Sequence, residues 1–76
     1  MDLKFLGIRF NYTDELPNDN VVVYSNCTII ESESNIIRNG MYIPQITVIY
    51  NFDKNNNKPH ITIKFENSDG SKFKFN

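Results

Sequence analysis

Residues 45–75 read QITVIYNFDKNNNKPHITIKFENSDGSKFKF, and this stretch decides the fold. Ile46, Val48, Tyr50 and Phe52 alternate with Thr47, Ile49 and Asn51. Ile61, Ile63 and Phe65 alternate with Thr62, Lys64 and Glu66, and Phe73 and Phe75 alternate with Lys72 and Lys74. Alternation with a period of two is the signature of a half-buried β-strand. Nowhere in the chain do apolar residues hold a 3.6-residue period over ten positions, so strands are expected throughout.

Turn chemistry sets the register of these strands. A two-residue Asp69-Gly70 turn would oppose Phe65 with Lys74 and Glu66 with Phe73, mixing apolar and charged residues on one face. A three-residue loop of Ser68, Asp69 and Gly70, with Gly70 in the left-handed conformation, shifts the pairing by one. Phe65 then opposes Phe73, Ile63 opposes Phe75, and Glu66 opposes Lys72. Aromatic pairs fall on one face and an opposite-charge pair on the other, each worth about 0.2–1 kcal/mol. The polar loop 53–58, followed by Pro59, likewise opposes Tyr50 with Ile61, Val48 with Ile63 and Ile46 with Phe65. The expected unit is a three-stranded meander. Its buried face is Ile46, Val48, Tyr50, Ile61, Ile63, Phe65, Phe73 and Phe75. Its other face holds Thr47, Ile49, Asn51, His60, Thr62, Lys64, Glu66, Lys72 and Lys74.

The N-terminal half is less regular. Residues 3–12 read as one strand, with Leu6, Ile8, Phe10 and Tyr12 on one face, Leu3 and Phe5 on the other, and Gly7 at a bulge between. Residues 13–19 read as an acidic loop around Pro17. Residues 21–31 read as a long strand. Asn39-Gly40 signals a hairpin between 36–38 and 41–43. A short helix over 34–39, stopped by Gly40, is the alternative. Pro44 bends the chain before the meander. The expected fold class is all-β: a single domain over 1–76, built as a small antiparallel barrel or two-sheet sandwich of five or six strands with the C-terminal three-stranded meander. The apolar face of the meander needs a cover, and only the N-terminal strands can supply it.

Size sharpens the demand on that core. A chain of 76 residues buries only about 60–65% of its unfolded surface. Cys27 is the single cysteine, so no intramolecular disulfide forms, and no Cys/His cluster offers a zinc site. No cofactor is implied. Six Phe and four Tyr point to an aromatic core, with self-association as the second route to stability. The net charge of −1 is neither that of a strong nucleic-acid binder nor that of a DNA mimic. The charge is uneven, −3 over residues 1–40 and +2 over 41–76, which would place opposite charges at two ends of the molecule. No apolar run approaches the roughly 20 residues of a membrane span, and no signal peptide is evident. A lone Cys in an apolar strand fits a reducing cytoplasm. Asn, Ile and Lys make 28 of 76 residues, as in low-GC genomes, and a short reading frame of this composition is in the style of low-GC bacteria and their phages.

Residues that carry chemistry are sparse. His60 has no nucleophile or carboxylate orienter near it in sequence, and a solvated strand residue is the plainer reading. Cys27 lies mid-strand among apolar residues, where an inert buried thiol is expected. The carboxylate pairs Asp14-Glu15 and Glu31…Glu33 read as solvated charge at turns and strand ends. The three isolated glycines build no phosphate loop. An enzyme is therefore not expected. Two surfaces remain. Ile36, Ile37, Arg38, Met41 and Tyr42, with Ile43, form a candidate partner-binding hairpin, or else fold over the end of the sheet as core. His60, Lys64, Lys72 and Lys74 form a candidate face for an anionic ligand, or else guard an edge against aggregation. The expected function is a non-enzymatic protein-binding module, either a homodimer or an inhibitor docking on a larger protein, with an anti-defence protein of a phage or mobile element as a special case. The alternative is a small β-barrel binding nucleic acid or a nucleotide through the lysines.

Overall fold

The computed structural model describes residues 1–52, 55 and 58–75. They form six strands: β1 (Asp2–Phe5), β2 (Ile8–Asn11), β3 (Asp14–Asn18), β4 (Val21–Ser32), β5 (Tyr42–Phe52) and β6 (Pro59–Glu66). Every pairing is antiparallel, as expected for a chain whose connections are too short for crossovers. The strands make one sheet in the order β1-β2-β4-β5-β6, with β3 also on β4. β2 pairs with residues 28–32 of β4 and β3 with residues 21–25, so the two lie end to end along one side of β4. The sheet is open, because β1 and β6 do not pair.

The C-terminal register is the one the turn chemistry predicts. Ile46 opposes Phe65, Val48 opposes Ile63 and Tyr50 opposes Ile61. Gly70 takes φ +87°, its N–H donates to the Asn67 carbonyl at 3.0 Å, and the Asn67 N–H donates to the Ser71 carbonyl at 2.8 Å. Glu66 bridges Lys72, and the Phe73 N–H donates to the Phe65 carbonyl at 2.9 Å. Here the expected third strand stops. Residues 73–75 form no further ladder, and the Ile63–Phe75 rung is missing. Phe75 instead packs edge-on against Phe65 and Phe73, with centroids 5.4 and 5.1 Å apart. Ring packing holds this short arm where ladder hydrogen bonds do not. The expected loop 53–58 lies outside the described residues except at Asn55 and Lys58.

The N-terminal half departs from the sequence reading in three places. Residues 3–12 are not one strand but a tight hairpin, pairing Leu3 with Phe10 and Phe5 with Ile8. Its turn is Leu6-Gly7, with φ +48° and +78°, the two left-handed residues of a type I′ turn. Leu6 therefore sits exposed at the tip, and Leu3 and Phe5 join the core side. Residues 13–19 are not a loop, since β3 runs along β4 from Asp14 opposite Ser25 to Asn18 opposite Val21. Its exposed Asp14, Glu15 and Pro17 are the residues an edge strand tolerates. Residues 33–41 are neither hairpin arm nor helix. The Ser34 hydroxyl accepts the Ile36 and Ile37 N–H groups at 3.1 and 3.4 Å, a local turn that competes with both. Asn39-Gly40 does turn, but only Gly40 has positive φ (+85°), so the geometry of a two-residue hairpin is absent.

The core lies on one side of the curled sheet. Phe10, Cys27, Ile29, Ile43, Ile46 and Val48 are fully buried, with Ile8, Tyr12, Tyr24 and Ile37 nearly so. Tyr24 stacks edge-on against Tyr12 at 4.7 Å and Phe10 at 5.5 Å. Phe5 of β1 reaches Tyr24 and Tyr50, both at 6.4 Å, so the first hairpin covers β4 and β5 as the meander required. Midway along β4, Asn26 adopts φ +52°, with Pro44 of β5 at the same level between the pairs Ser25–Gln45 and Cys27–Ile43. Both strands change their inward phase there: Tyr24 then Cys27, and Ile46 then Ile43, are buried.

Candidate partner-binding edge

The structure divides the first candidate group. Ile37 is buried, and Met41 packs half-buried against the core, so these two close the end of the sheet. Arg38 is exposed. Ile36 and Tyr42 are exposed at 61% and 53%. Tyr42 is also tied down: its hydroxyl donates to Asn26 Oδ1 at 2.6 Å, and Asn26 Nδ2 donates to Thr13 Oγ1 at 3.1 Å. This chain of bonds joins β5, β4 and the link between β2 and β3 at the kink of β4.

The second group stays together. His60 and Lys64 are exposed on one face of β6, and Lys72 joins that face through its bridge to Glu66. Lys74 is exposed two residues further along the arm. Glu66 lies opposite Lys72 but makes no ion pair with these lysines. Its Oε1 accepts the Thr47 hydroxyl at 2.5 Å and the Gln45 amide at 3.4 Å, turning the carboxylate toward β5. Among the described residues no carboxylate lies within ion-pair distance of Lys64, Lys72 or Lys74. Arg9 of β2 pairs with Asp2 of β1 at 3.0 Å and with Glu31 of β4 at 3.7 Å, away from these lysines.

Between the arm and β6 lies a half-open hollow of about 430 Å³, lined by Ile63, Phe65, Phe73 and Phe75 with Lys64 and Lys72 at its margin. On the other side of the arm a shallower hollow brings Ile36 beside Lys72, Lys74, Phe73 and Phe75. Ile36 of the first group and Lys72 and Lys74 of the second thus share one surface, which residue spacing does not reveal.

Sequence reasoning missed a further part of this surface. Phe52 is 69% exposed, and Ile61, expected on the buried face, is 37% exposed. The cover from β1 reaches Tyr50 and goes no further along β5 among the rings in contact. Beside them runs the outer edge of β6. A strand residue points its N–H and C=O to the same side, and the sides alternate along the chain. Because the Phe65 carbonyl faces the arm, Ile61 and Ile63 also face outward, and their backbone groups have no strand partner among the described residues. Pro59, on the same outward set, has no N–H to leave unpaired.

Cys27 is fully buried, and burial pushes its thiol up to about 11, above the range in which a thiolate is available. Among the described residues no three His, Cys, Asp or Glu side chains come together as a metal site needs. None of the described elements is a helix able to cross a membrane. No family model, no curated protein and no solved structure matches the chain.

Proposed function

We propose that this chain is a non-enzymatic protein-binding module that docks on a larger protein through the outer edge of β6 and the apolar surface around it. One coincidence carries the reading. Outward backbone groups at Ile61 and Ile63 lie beside uncovered Phe52 and Ile61 side chains and an aromatic hollow. An exposed edge next to an exposed apolar patch is where partner proteins bind. The whole surface agrees. The accessible area is 5322 Å², against roughly 4,800 Å² for an average folded monomer of this mass. In its narrowest form the module is an inhibitor carried by a phage or mobile element and aimed at a host defence protein. The Asn-, Ile- and Lys-rich composition supports that origin, and the reduced, buried Cys27 supports a cytoplasmic setting.

The test begins with capture from lysate of a low-GC bacterial host and ends with binding between purified components. Phe52→Asp with Ile61→Asp should abolish the complex, while Tyr42→Asp should leave it intact. A double variant that folds and still binds at full affinity would end this reading. Light scattering tests the homodimer form, in which the same double variant should convert dimer to monomer.

The second reading is a nucleic-acid or nucleotide ligand. It is favoured by Lys64, Lys72 and Lys74, which have no ion-pair partner among the described residues and lie near half-buried phenylalanines. Titration of labelled single strands would then show affinity falling with salt by roughly two ions released for three lysines, and Lys72→Glu with Lys74→Glu should abolish binding.

A further inference from the structure

The outer edge of β6 also specifies what kind of segment fits it. We infer that it takes an extended segment of a partner protein in which acidic and apolar residues alternate, added as a further strand along Ile61 and Ile63. This rests on the protein-binding reading and names the occupant.

Strand addition supplies the affinity through backbone hydrogen bonds, and the side chains flanking the edge select the sequence. Along β6 the two flanks differ. One flank shows His60, Thr62 and Lys64, with Lys72 diagonal to them across the Glu66 bridge. Neither Lys64 nor Lys72 has a carboxylate partner among the described residues, and Glu66 is held toward β5. The other flank shows Ile61, Ile63 and exposed Phe52. An added strand sends successive side chains to opposite faces. Its carboxylates would fall beside Lys64 and its apolar residues beside Ile61 and Ile63, with Phe52 one strand further in on the same face, opposite Pro59. Both sets are needed to match both flanks. An edge guarded only against aggregation accounts for the lysine, but it does not leave Phe52 and Ile61 uncovered next to the open backbone. A second copy pairing β6 antiparallel about Thr62 would set Lys64 opposite His60 and bring no carboxylate opposite Lys64.

A blocked peptide of alternating glutamate and valine is the probe. The controls are the same residues in two blocks, an alternating lysine–valine peptide, and the probe N-methylated at its edge-facing amides. Only the first should bind, and its binding should slow hydrogen exchange at the Ile61 and Ile63 amides. Lys64→Glu should weaken it roughly fivefold, since an attraction becomes a repulsion. Ile61→Pro removes an outward N–H without touching the β5 ladder and should abolish binding in a chain that stays folded. Equal binding of the block or lysine peptide, binding that leaves the two amides unprotected, or no binding of the probe would each overturn the inference. If the probe fails while a purified partner still requires Phe52 and Ile61, the occupant is wrong and the protein-binding reading stands.

Discussion

Leu6 carries a conformation that its side chain does nothing to earn. It holds φ +48° while 68% exposed at the tip of the β1–β2 hairpin. The left-handed region costs a branched residue about 1–2 kcal/mol, and Asn tolerates it far better. Leu6→Asn should therefore stabilise the protein by about 0.5–1 kcal/mol, raising the thermal midpoint by roughly 3–6 °C, as calorimetry would show. Gly7 follows at φ +78°, where an added Cβ would lie 2.5 Å from Glu33 Oε2. Titratable groups in the core make a separate statement. Burial raises Cys27 from 9.0 to about 11 and Tyr24 from 10.0 to about 12. The unfolded chain loses these protons first, so the stability they contribute is complete below pH 9 and drains as pH rises through 11 and 12. Denaturant midpoints should be flat with respect to these two groups from pH 7 to 9 and fall above it. A thiol-labelling reagent at pH 8 should leave folded Cys27 unmodified and modify it fully in denaturant. Rapid labelling of the folded chain would contradict its burial.

At the scale of elements, β6 is a strand with one half of its backbone employed. Its even residues face β5 and its odd residues face outward until the arm meets Phe65. Hydrogen exchange should alternate accordingly. The Thr62 and Lys64 amides should be protected and those of Ile61 and Ile63 should exchange near the rate of exposed loops. Uniform protection along β6 would mean that the edge is already occupied, by a second copy or by the arm. The opposite side of the sheet is treated differently. β3 is exposed along all five residues but carries Asp14, Glu15 and Pro17, which discourage another strand from pairing with it.

The whole molecule is built on two unequal aromatic groups. Phe5, Phe10, Tyr12, Tyr24 and Tyr50 pack under the first hairpin, while Phe65, Phe73 and Phe75 pack under the arm. Phe10 is fully buried and Phe75 only partly. Phe10→Ala should cost about 3–5 kcal/mol, most of the stability of a domain this small. Phe75→Ala should cost about 1–2 kcal/mol and leave a cooperative unfolding transition by circular dichroism. Comparable losses at the two sites would mean that the arm is as integral to the core as β2. At this scale the acidic β3, with Asp14 and Glu15, lies at one edge of the sheet, and Lys64 of β6 with Lys72 and Lys74 of the arm lie at the other.

What the sequence determined by itself is the all-β class, the antiparallel pairing of residues 45–66 and the Gly70 turn. Each is local, because a period of two, a short loop and a left-handed glycine constrain neighbours in the chain. The lysine cluster was legible for the same reason. Three decisions belong to the tertiary structure. Leu6-Gly7 turns despite its poor turn chemistry, since doing so lets Phe5 cover Tyr24 and Tyr50. Residues 14–18 become a strand because β4 is long enough to hold two partners on one side. Phe52 and Ile61 stay exposed because the ring contacts of β1 end at Tyr50. Alternation tells which residues share a face; how far another strand extends over that face is set by packing between segments distant in the chain.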